Sequence, residues 1–402
     1  MGRGAMGTAR AEAARDEAPT PTREDEKAKG AAADAKKRKA PATWQETMRD
    51  AKAKHRPRLK DWSRDGFATR RRADFKALSE IDAAHVGETI QRVDAADLTP
   101  ERFASKFERA SEPVIVRGVP DREAWGARAW TCGGLAEDGE LGAARLKCGE
   151  DDDGHTVRVS LRDFASYCAH DADGDDSPLY VFDGAFAERA AAKGLAGGYG
   201  VPAFCGRDDL FELVGEELRP PYRWLLLGPK RSGTCVHVDP LGTSAWNTVI
   251  KGRKRWVLFE PGTSKRVASG KPLVKPGEDD EAINYFADIL PRVRTAHPTA
   301  RRYECIQEPG ETIFVPGGWW HAVLNLDDTV GVTQNFASRE NFDAVWDKTR
   351  VGRKAMARRW YRALGGHADA DVRALKDRAS IQPPIAKPGV PLERPKPPAP
   401  PV

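Results

Sequence analysis

The chain has 402 residues, of which 40% are hydrophobic and 31% are charged, and its formal net charge is +5. A mean hydropathy of −0.60, and no apolar run near the ~18 to 20 residues that cross a bilayer, argue against a membrane protein. Six cysteines without a CxxC pair argue against a zinc knuckle or a disulfide framework. We therefore expect a reducing compartment and one large domain with tails.

The first 51 residues are rich in Ala, Lys, Arg, Glu and Pro and hold almost no large apolar residue before Trp44. This composition cannot offset the entropy of ordering a chain, so residues 1–51 are predicted to be a disordered tail. The basic run Lys36–Lys39 is typical of nuclear import or nucleic-acid contact, and a solvated charge run is the alternative. Residues 1–72 hold 20 Lys and Arg against 11 Asp and Glu, a net of +9, which predicts attraction to polyanions such as RNA.

The opposite charge balance follows between residues 137 and 183, where 13 acidic residues stand against 4 basic ones, a net of −9. The acidic runs 150–153 and 171–176 are polar and lie beside apolar, strand-like pieces, which predicts loops. Two interpretations stay open. The loops are solvated, as charge blocks usually are, or they form an acidic rim that suits a Lys- or Arg-rich substrate.

Short apolar runs with turn signals between them predict strands at residues 113–118, 224–227, 246–250, 256–259, 313–315 and 330–336. Short strands at this spacing are typical of a sandwich or barrel, and the jelly-roll architecture places ligands inside its mouth. Residues 341–380 follow a helical pattern with many basic residues. Residues 381–402 are predicted to be a Pro-rich, disordered tail.

Two side chains that can bind a metal stand one residue apart in the triplet His237-Val238-Asp239. In an extended strand residues i and i+2 point to the same face, so both can bind one ion. Further along, the run Gly310–His321 reads as a turn, an apolar strand, a Gly-Gly bend and a third ligand, His321. Such a triplet is also common by chance. Two histidines and one carboxylate form the facial triad that is typical of non-haem Fe(II) oxygenases.

Four stretches carry a resemblance to a known family: Arg219–Phe259, Lys147–Asp151, Asp176–Tyr180 and Thr333–Ser338. They resemble the Jumonji-C family of iron- and 2-oxoglutarate-dependent oxygenases. The similarity covers roughly residues 52 to 365. Within the family it points to the phosphatidylserine-receptor-like branch, which is known for lysyl hydroxylation and has a proposed arginine demethylase activity.

The resemblance implies a mainly β fold, a double-stranded β-helix of the cupin or jelly-roll type with flanking helices, over residues 52–340. It implies one Fe(II) bound by His237, Asp239 and His321, with 2-oxoglutarate as the second cofactor. It also implies that the helices of residues 341–380 support a homodimer.

Lys254 begins a strand-like run whose alternation places it on the same face as Trp256 and Leu258. The spacing alone leaves two interpretations, a surface lysine in a basic cluster and an ammonium buried in the barrel. The resemblance favours the second, with the ammonium paired to one carboxylate of 2-oxoglutarate. Further contacts to co-substrate or substrate are implied for Tyr180, Thr234, Asn247, Thr333 and Asn335. For each of these the alternative is a polar residue satisfied within the barrel.

The function implied by the resemblance is that of a dioxygenase hydroxylating lysine side chains in basic nuclear proteins of RNA processing or chromatin. One alternative is an N-methyl-arginine demethylase acting on histones. Another is a non-catalytic barrel that binds protein or RNA, against which the intact triad argues. We expect a nuclear protein whose partners are a Lys/Arg-rich protein substrate and RNA contacted through the basic tails.

Overall fold

The computed structural model describes residues 42–57, 62–63, 66, 72–81, 89–150, 156–206, 209–276, 278 and 281–381. The chain divides into Met1–Thr43 and Trp44–Val402, and the following account concerns the second unit. The basic cluster Lys36–Lys39 and the Pro-rich tail beyond residue 381 lie outside the described residues. The predictions for these two segments therefore stay predictions.

Two large sheets and one hairpin account for the thirteen strands in the described part of the chain. The larger sheet has the order β1-β2-β11-β8-β13-β6-β5, and the smaller sheet has the order β10-β9-β12-β7. The pair β1 and β2 is parallel, and the other pairs are antiparallel. The strands are β1 Gln91–Asp94, β2 Val114–Arg117, β3 Arg145–Glu150, β4 Thr156–Ser160, β5 Val181–Asp183, β6 Arg223–Gly228, β7 Gly233–His237, β8 Ser244–Lys251, β9 Lys254–Phe259, β10 Arg302–Gln307, β11 Glu311–Val315, β12 Trp320–Asn325 and β13 Thr329–Phe336.

The two sheets pack face to face because successive side chains along a strand lie on opposite faces of its sheet. On β9, Trp256 and Leu258 belong to the core between the sheets, together with Ile313 of β11. The intervening Val257 and Phe259 pack outward against a helical segment. Period-2 alternation of apolar residues on both faces is what a covered sheet requires. The predicted mainly β jelly roll with flanking helices is confirmed.

Helices cover the outer faces of the sheets and follow β13. The α-helices are α1 Trp44–His55, α2 Arg72–Leu78, α3 Pro100–Phe103, α4 Val119–Arg122, α5 Cys132–Glu137, α6 Gly139–Ala143, α7 Leu161–His170, α8 Lys265–Ala268, α9 Ala282–Asn284, α10 Leu290–Ala296, α11 Phe342–Gly352, α12 Lys354–Gly365 and α13 Ala370–Ile381. Short π-helical pieces span Ala104–Glu108 and Tyr285–Ile289, and 3-10 turns span Gly126–Ala129, Ala172–Gly174, Phe186–Glu188, Lys193–Gly197, Ala203–Cys205, Leu210–Val214, Pro240–Gly242 and Lys271–Leu273. Within the described ranges, no helix combines the length and the apolar character needed to span a bilayer.

The first helix differs from the expectation of a tail ending at residue 51, because α1 begins at Trp44. Met48 and Ala51 of this helix are buried, and Trp44 packs against the same core cluster. These three residues recur at helical spacing, so they form one apolar stripe that buries against the domain. The composition argument overlooked that stripe.

Candidate metal centre and co-substrate pocket

Three ligand-type side chains converge where β7 meets β12. His237, the last residue of β7, pairs directly with His321 of β12, and their ring centroids lie 4.1 Å apart. Asp239 follows two residues later, just past the strand end. One ligand atom from each of the three residues lies within 4.8 Å of the other two. Adjacent antiparallel strands therefore build one compact two-histidine, one-carboxylate cluster.

The hydrogen bonds around the cluster leave its ligand atoms free. The Nδ1 atom of His237 lies 2.8 Å from the carbonyl of Cys235, and that of His321 lies 3.1 Å from the carbonyl of Trp319. A carbonyl oxygen only accepts, so each Nδ1 carries the proton and each Nε2 keeps its lone pair. Burial lowers the pKa of His321 to about 4, so this ring is neutral at pH 7.

The carboxylate of Asp239 completes the fit to a cation. Its Oδ2 atom is buried and has no hydrogen-bond partner. A buried acceptor without a partner is costly unless a ligand supplies the missing interaction. A divalent ion bound to two imidazole nitrogens and this oxygen removes the deficit, and the donor set suits non-haem Fe(II).

A cavity of about 260 Å³ opens between the sheets beside the cluster. Of the nine residues predicted to hold metal or co-substrate, eight line this cavity, and the ninth, His321, is in the adjoining ligand cluster. The hydroxyl of Thr333 donates to the carbonyl of Trp246 at 2.8 Å, and the amide of Asn335 donates to Thr243 at 2.9 Å. The Oδ1 atom of Asn247 is buried without a partner. The lining residues are Tyr180, Phe182, Trp224, Leu226, Thr234, His237, Asp239, Pro240, Asn247, Lys254, Val323, Thr333 and Asn335.

Lys254 lies on the inner face of β9, in line with Trp256 and Leu258, and is completely buried. Its ammonium lies 3.2 Å from the hydroxyl of Tyr180, and no carboxylate in the described part of the chain pairs with it. Burial lowers the pKa of Lys254 to about 7. An uncompensated cation inside a cavity fits an anionic ligand, and a dicarboxylate that also reaches the metal meets both requirements.

The family model described as JmjC domain, hydroxylase, matches residues 224–336. The bifunctional arginine demethylase and lysyl-hydroxylase psr-1 of Caenorhabditis elegans is 42% identical over 298 residues, which are 73% of this chain and 72% of that protein. The chain belongs to the JmjC family. The psr-1 protein of Caenorhabditis briggsae is 41% identical over 321 residues, 78% of this chain and 76% of that protein. The arginine-specific demethylase JMJ22 of Arabidopsis thaliana is 36% identical over 250 residues, 61% of this chain and 45% of that protein.

As a JmjC protein, the chain is an oxygenase that uses Fe(II) and 2-oxoglutarate. Sequence reasoning missed several pocket walls. Phe182 stacks on Trp224 with ring centroids 5.7 Å apart, and Leu226 lies two residues further along β6. Alternation could have identified them, because residues i and i+2 of extended backbone point to the same face. Phe182 lies two residues after Tyr180, and Leu226 lies two residues after Trp224.

The acidic segment 171–176 is divided between exposed and buried residues. Asp171 and Asp173 are exposed, so both interpretations stay open for them, whereas both are wrong for Asp175 and Asp176. Asp175 and Asp176 are 6% exposed. Lys52 of α1 forms a 2.6 Å ion pair with Asp175, and Asp173 pairs with Lys230 at 2.8 Å. These carboxylates neutralise basic residues of the same chain. The acidic residues 151–153 and 279–280 lie outside the described residues.

A second cavity of about 420 Å³ adjoins the first one. Four residues line both cavities: Tyr180, Phe182, Thr234 and His237. Its outer wall contains one carboxylate, Glu281, which is 3.3 Å from Arg56 and accepts a 3.1 Å hydrogen bond from Ser177. The remaining walls are His55, Lys147, Cys148, Gly149, Pro178, Gly233, Cys235 and Val236. The cavity thus leads from the surface to a metal ligand.

Proposed function

We propose that this JmjC oxygenase hydroxylates a lysine side chain in a basic segment of another protein, with Fe(II) held by His237, Asp239 and His321. The proposal is supported by two buried groups that lie in one cavity and each lack a compensating partner among the described residues. Asp239 presents a buried oxygen without a partner, and Lys254 presents a buried cation without a carboxylate. One divalent metal and one dicarboxylate satisfy both.

The two cofactors, once bound, use dioxygen to convert a C–H bond to C–OH, while 2-oxoglutarate loses CO₂ and becomes succinate carrying the other oxygen atom. The protein supplies placement and exclusion of water. Lys254 and the hydroxyl of Tyr180 would hold the far carboxylate of the co-substrate. The cavity is also lined by Thr234, Asn247, Thr333 and Asn335, which would contact the rest of the co-substrate, and by the stacked rings of Phe182 and Trp224.

The second cavity is the proposed path for the substrate side chain, because it reaches His237 from the surface. A long, flexible side chain on an extended peptide can enter such a path, whereas a folded partner would rarely present it. Glu281 at the outer wall offers a carboxylate to a basic residue of that peptide. Asp175 cannot contribute to an acidic rim, because it is buried and paired with Lys52, whereas the exposed Asp173 still can.

The second candidate activity is removal of methyl groups from arginine. Two observations favour keeping it, the names of psr-1 and JMJ22, which both include arginine demethylase activity. The same C–H hydroxylation at an N-methyl carbon gives a product that loses formaldehyde, whereas hydroxylysine is stable. The reaction product therefore separates the two candidates. A non-catalytic binding barrel is a poorer account, because the complete ligand cluster would then have no use.

The cellular setting is part of the proposal. From the basic run Lys36–Lys39 we infer that the protein is nuclear. We also infer that its basic tails contact RNA and that the helices α11 to α13 form a homodimer. Neutralising the four residues 36–39 should shift a tagged protein toward the cytoplasm. Light scattering on the purified chain measures the dimer directly, and a chain of monomer mass would contradict it.

The decisive experiment incubates the protein with a Lys- and Arg-rich peptide that also carries N-methyl-arginine, Fe(II), 2-oxoglutarate and dioxygen. Mass spectrometry should show one added oxygen on lysine, with succinate formed in step. Loss of methyl groups from arginine with unoxidised lysine would favour the demethylase. Absence of both products and of 2-oxoglutarate turnover would favour the binding barrel.

A further inference from the structure

A chain of buried polar contacts joins the first helix to the co-substrate pocket. The ammonium of Lys52 in α1 lies 2.6 Å from the carboxylate of Asp175. The same carboxylate oxygen accepts a 2.5 Å hydrogen bond from the hydroxyl of Tyr167 in α7. That hydroxyl in turn accepts a 3.2 Å hydrogen bond from the backbone amide of Leu179. The next residue, Tyr180, faces Lys254 in the pocket.

Each member of the chain is withdrawn from water. The side chains of Lys52 and Asp175 are 12% and 8% exposed, and Tyr167 is completely buried. The ammonium of Lys52 also lies 4.8 Å from the ring centre of Tyr167 and 5.7 Å from that of Trp62, within cation–π range. A buried carboxylate that loses its ion-pair partner is destabilised. Lys52 is therefore the ion-pair partner that compensates the buried carboxylate of Asp175.

The opposite side of the segment 171–180 is held by a different residue. The guanidinium of Arg231 donates to the carbonyls of Ala172, Asp173 and Asp175 at 2.9, 3.1 and 2.7 Å. The amide of Arg231 donates to the carbonyl of Asn325 in β12, which anchors this clamp to the barrel. Besides the Arg231 clamp, Lys52 and Tyr167 hold the segment immediately before Tyr180.

We propose that Lys52 is a positioning residue for the co-substrate site, acting through Asp175, Tyr167 and the amide of Leu179 on Tyr180. The helix that carries it lies outside residues 224–336, which match the JmjC domain. The proposal rests on the assigned role of Tyr180 at 2-oxoglutarate. It adds that a cation far along the sequence tunes affinity for the co-substrate without touching it or the metal.

The test measures 2-oxoglutarate binding to the full chain by calorimetry, with Mn(II) in place of Fe(II) so that no turnover occurs. Lys52→Met should raise the Kd for 2-oxoglutarate about tenfold, the size of effect expected when one buried hydrogen bond is lost. The affinity for Mn(II) should not change. Amide hydrogen exchange at Leu179 should quicken in the same variant. Lys52→Arg should restore most of the affinity, because it keeps the cation.

The matched control is Lys54→Met, since Lys54 lies on the exposed side of the same helix. Its Kd should equal that of the parent protein. The double variant Lys52→Met with Asp175→Asn should also bind within about threefold of the parent, because the amide oxygen still accepts from Tyr167 and no lone charge is left buried. A double variant as weak as Lys52→Met would overturn the proposed route.

Two further outcomes keep the test decisive. A folded Lys52→Met variant with unchanged Kd would show that Lys52 only stabilises the fold. If that variant does not fold, Tyr167→Phe removes the acceptor for the Leu179 amide and should give the same loss, and an unchanged Kd there would also overturn the proposal. Tyr180→Phe with unchanged Kd would instead show that the assigned role of Tyr180 is wrong.

Discussion

The ammonium of Lys254 lies 3.2 Å from the hydroxyl of Tyr180, in a cavity that is also lined by the metal ligands His237 and Asp239. The hydroxyl accepts a hydrogen bond but brings no negative charge, so the cation stays uncompensated. Burial consequently lowers the pKa of Lys254 from its ordinary value of 10.5 to about 7. In the free protein Lys254 is therefore partly protonated at neutral pH, and it takes up a proton when an anion binds beside it.

The first prediction is that 2-oxoglutarate binding takes up a proton above pH 7. The bound carboxylate stabilises the charged lysine and raises its pKa, so the ligand binds the protonated form. Affinity should be greatest below pH 7 and fall up to about tenfold per pH unit above it. Calorimetry in buffers of different ionisation enthalpy gives the number of protons taken up. A Kd that does not vary between pH 6 and 9 would contradict the assignment of Lys254.

The second prediction is that Lys254→Met makes the free protein more stable while it loses the co-substrate. Replacing an uncompensated buried charge with an apolar side chain of similar length stabilises folds by about 1–4 kcal/mol. The gain should be largest below pH 7, where the lysine is charged in both states, and vanish above pH 10.5, where it is neutral in both. Thermal unfolding at several pH values measures the gain, and Mn(II) binding should be retained. A lower melting temperature with intact 2-oxoglutarate binding would mean that the lysine is structural.

The third prediction concerns the metal ligand Asp239. Asp239→Ala should abolish iron binding and turnover without lowering the melting temperature of the metal-free protein, because the Oδ2 atom it removes has no partner. Asp377→Ala, at an exposed position of α13, is the matched control and should keep both properties. Undiminished iron binding by Asp239→Ala would refute the triad.

The fourth prediction concerns Glu108, a carboxyl group with a raised pKa. Burial raises the pKa of Glu108 from 4.5 to about 7, although Ser338 donates a 2.5 Å hydrogen bond to it. The proton is held more tightly in the folded chain, so stability falls as pH rises from 4.5 to 7 and the loss is complete above 7. Glu108→Gln should therefore be more stable than the parent by about 1–3 kcal/mol at pH 8 and equal to it below pH 4.5. Denaturant unfolding at the two pH values tests this, and a constant difference would contradict it.

The parts of the site that lie close together in the chain can be predicted from sequence, because short sequence patterns indicate them. The spacing of His237 and Asp239 needs only one extended stretch. Alternation along β9 places Lys254 on one face with Trp256 and Leu258, but it left the burial of Lys254 open, and only the family resemblance favoured burial. The contact of Lys52 with Asp175 joins segments more than 100 residues apart, and no periodicity encodes such a pairing. For this reason, the acidic segment 171–176 suggested a solvated or substrate-facing surface throughout, whereas Asp175 and Asp176 are buried and Asp175 pairs with Lys52.

The last prediction concerns Glu281, the carboxylate at the outer wall of the second cavity. Its side chain is 28% exposed and pairs with Arg56 at 3.3 Å, so it can exchange that partner for a cation of the substrate. The exchange keeps the carboxylate paired with a cation, so it is not left uncompensated. Glu281→Gln should raise the KM for a basic peptide about three- to tenfold and leave the Kd for 2-oxoglutarate unchanged.

Ionic strength separates charge recognition from shape at this wall. The parent protein should lose affinity for the peptide as salt rises, because screening shortens the reach of a charge from about 10 Å at 0.1 M to about 3 Å at 1 M. The Glu281→Gln variant should show a weaker salt dependence, so the two KM values converge at high salt. Glu278→Gln removes a carboxylate that pairs with Arg292 away from the cavity and should leave KM unchanged. Equal KM values for Glu281→Gln and the parent at low salt would show that the substrate's positive charge is recognised elsewhere.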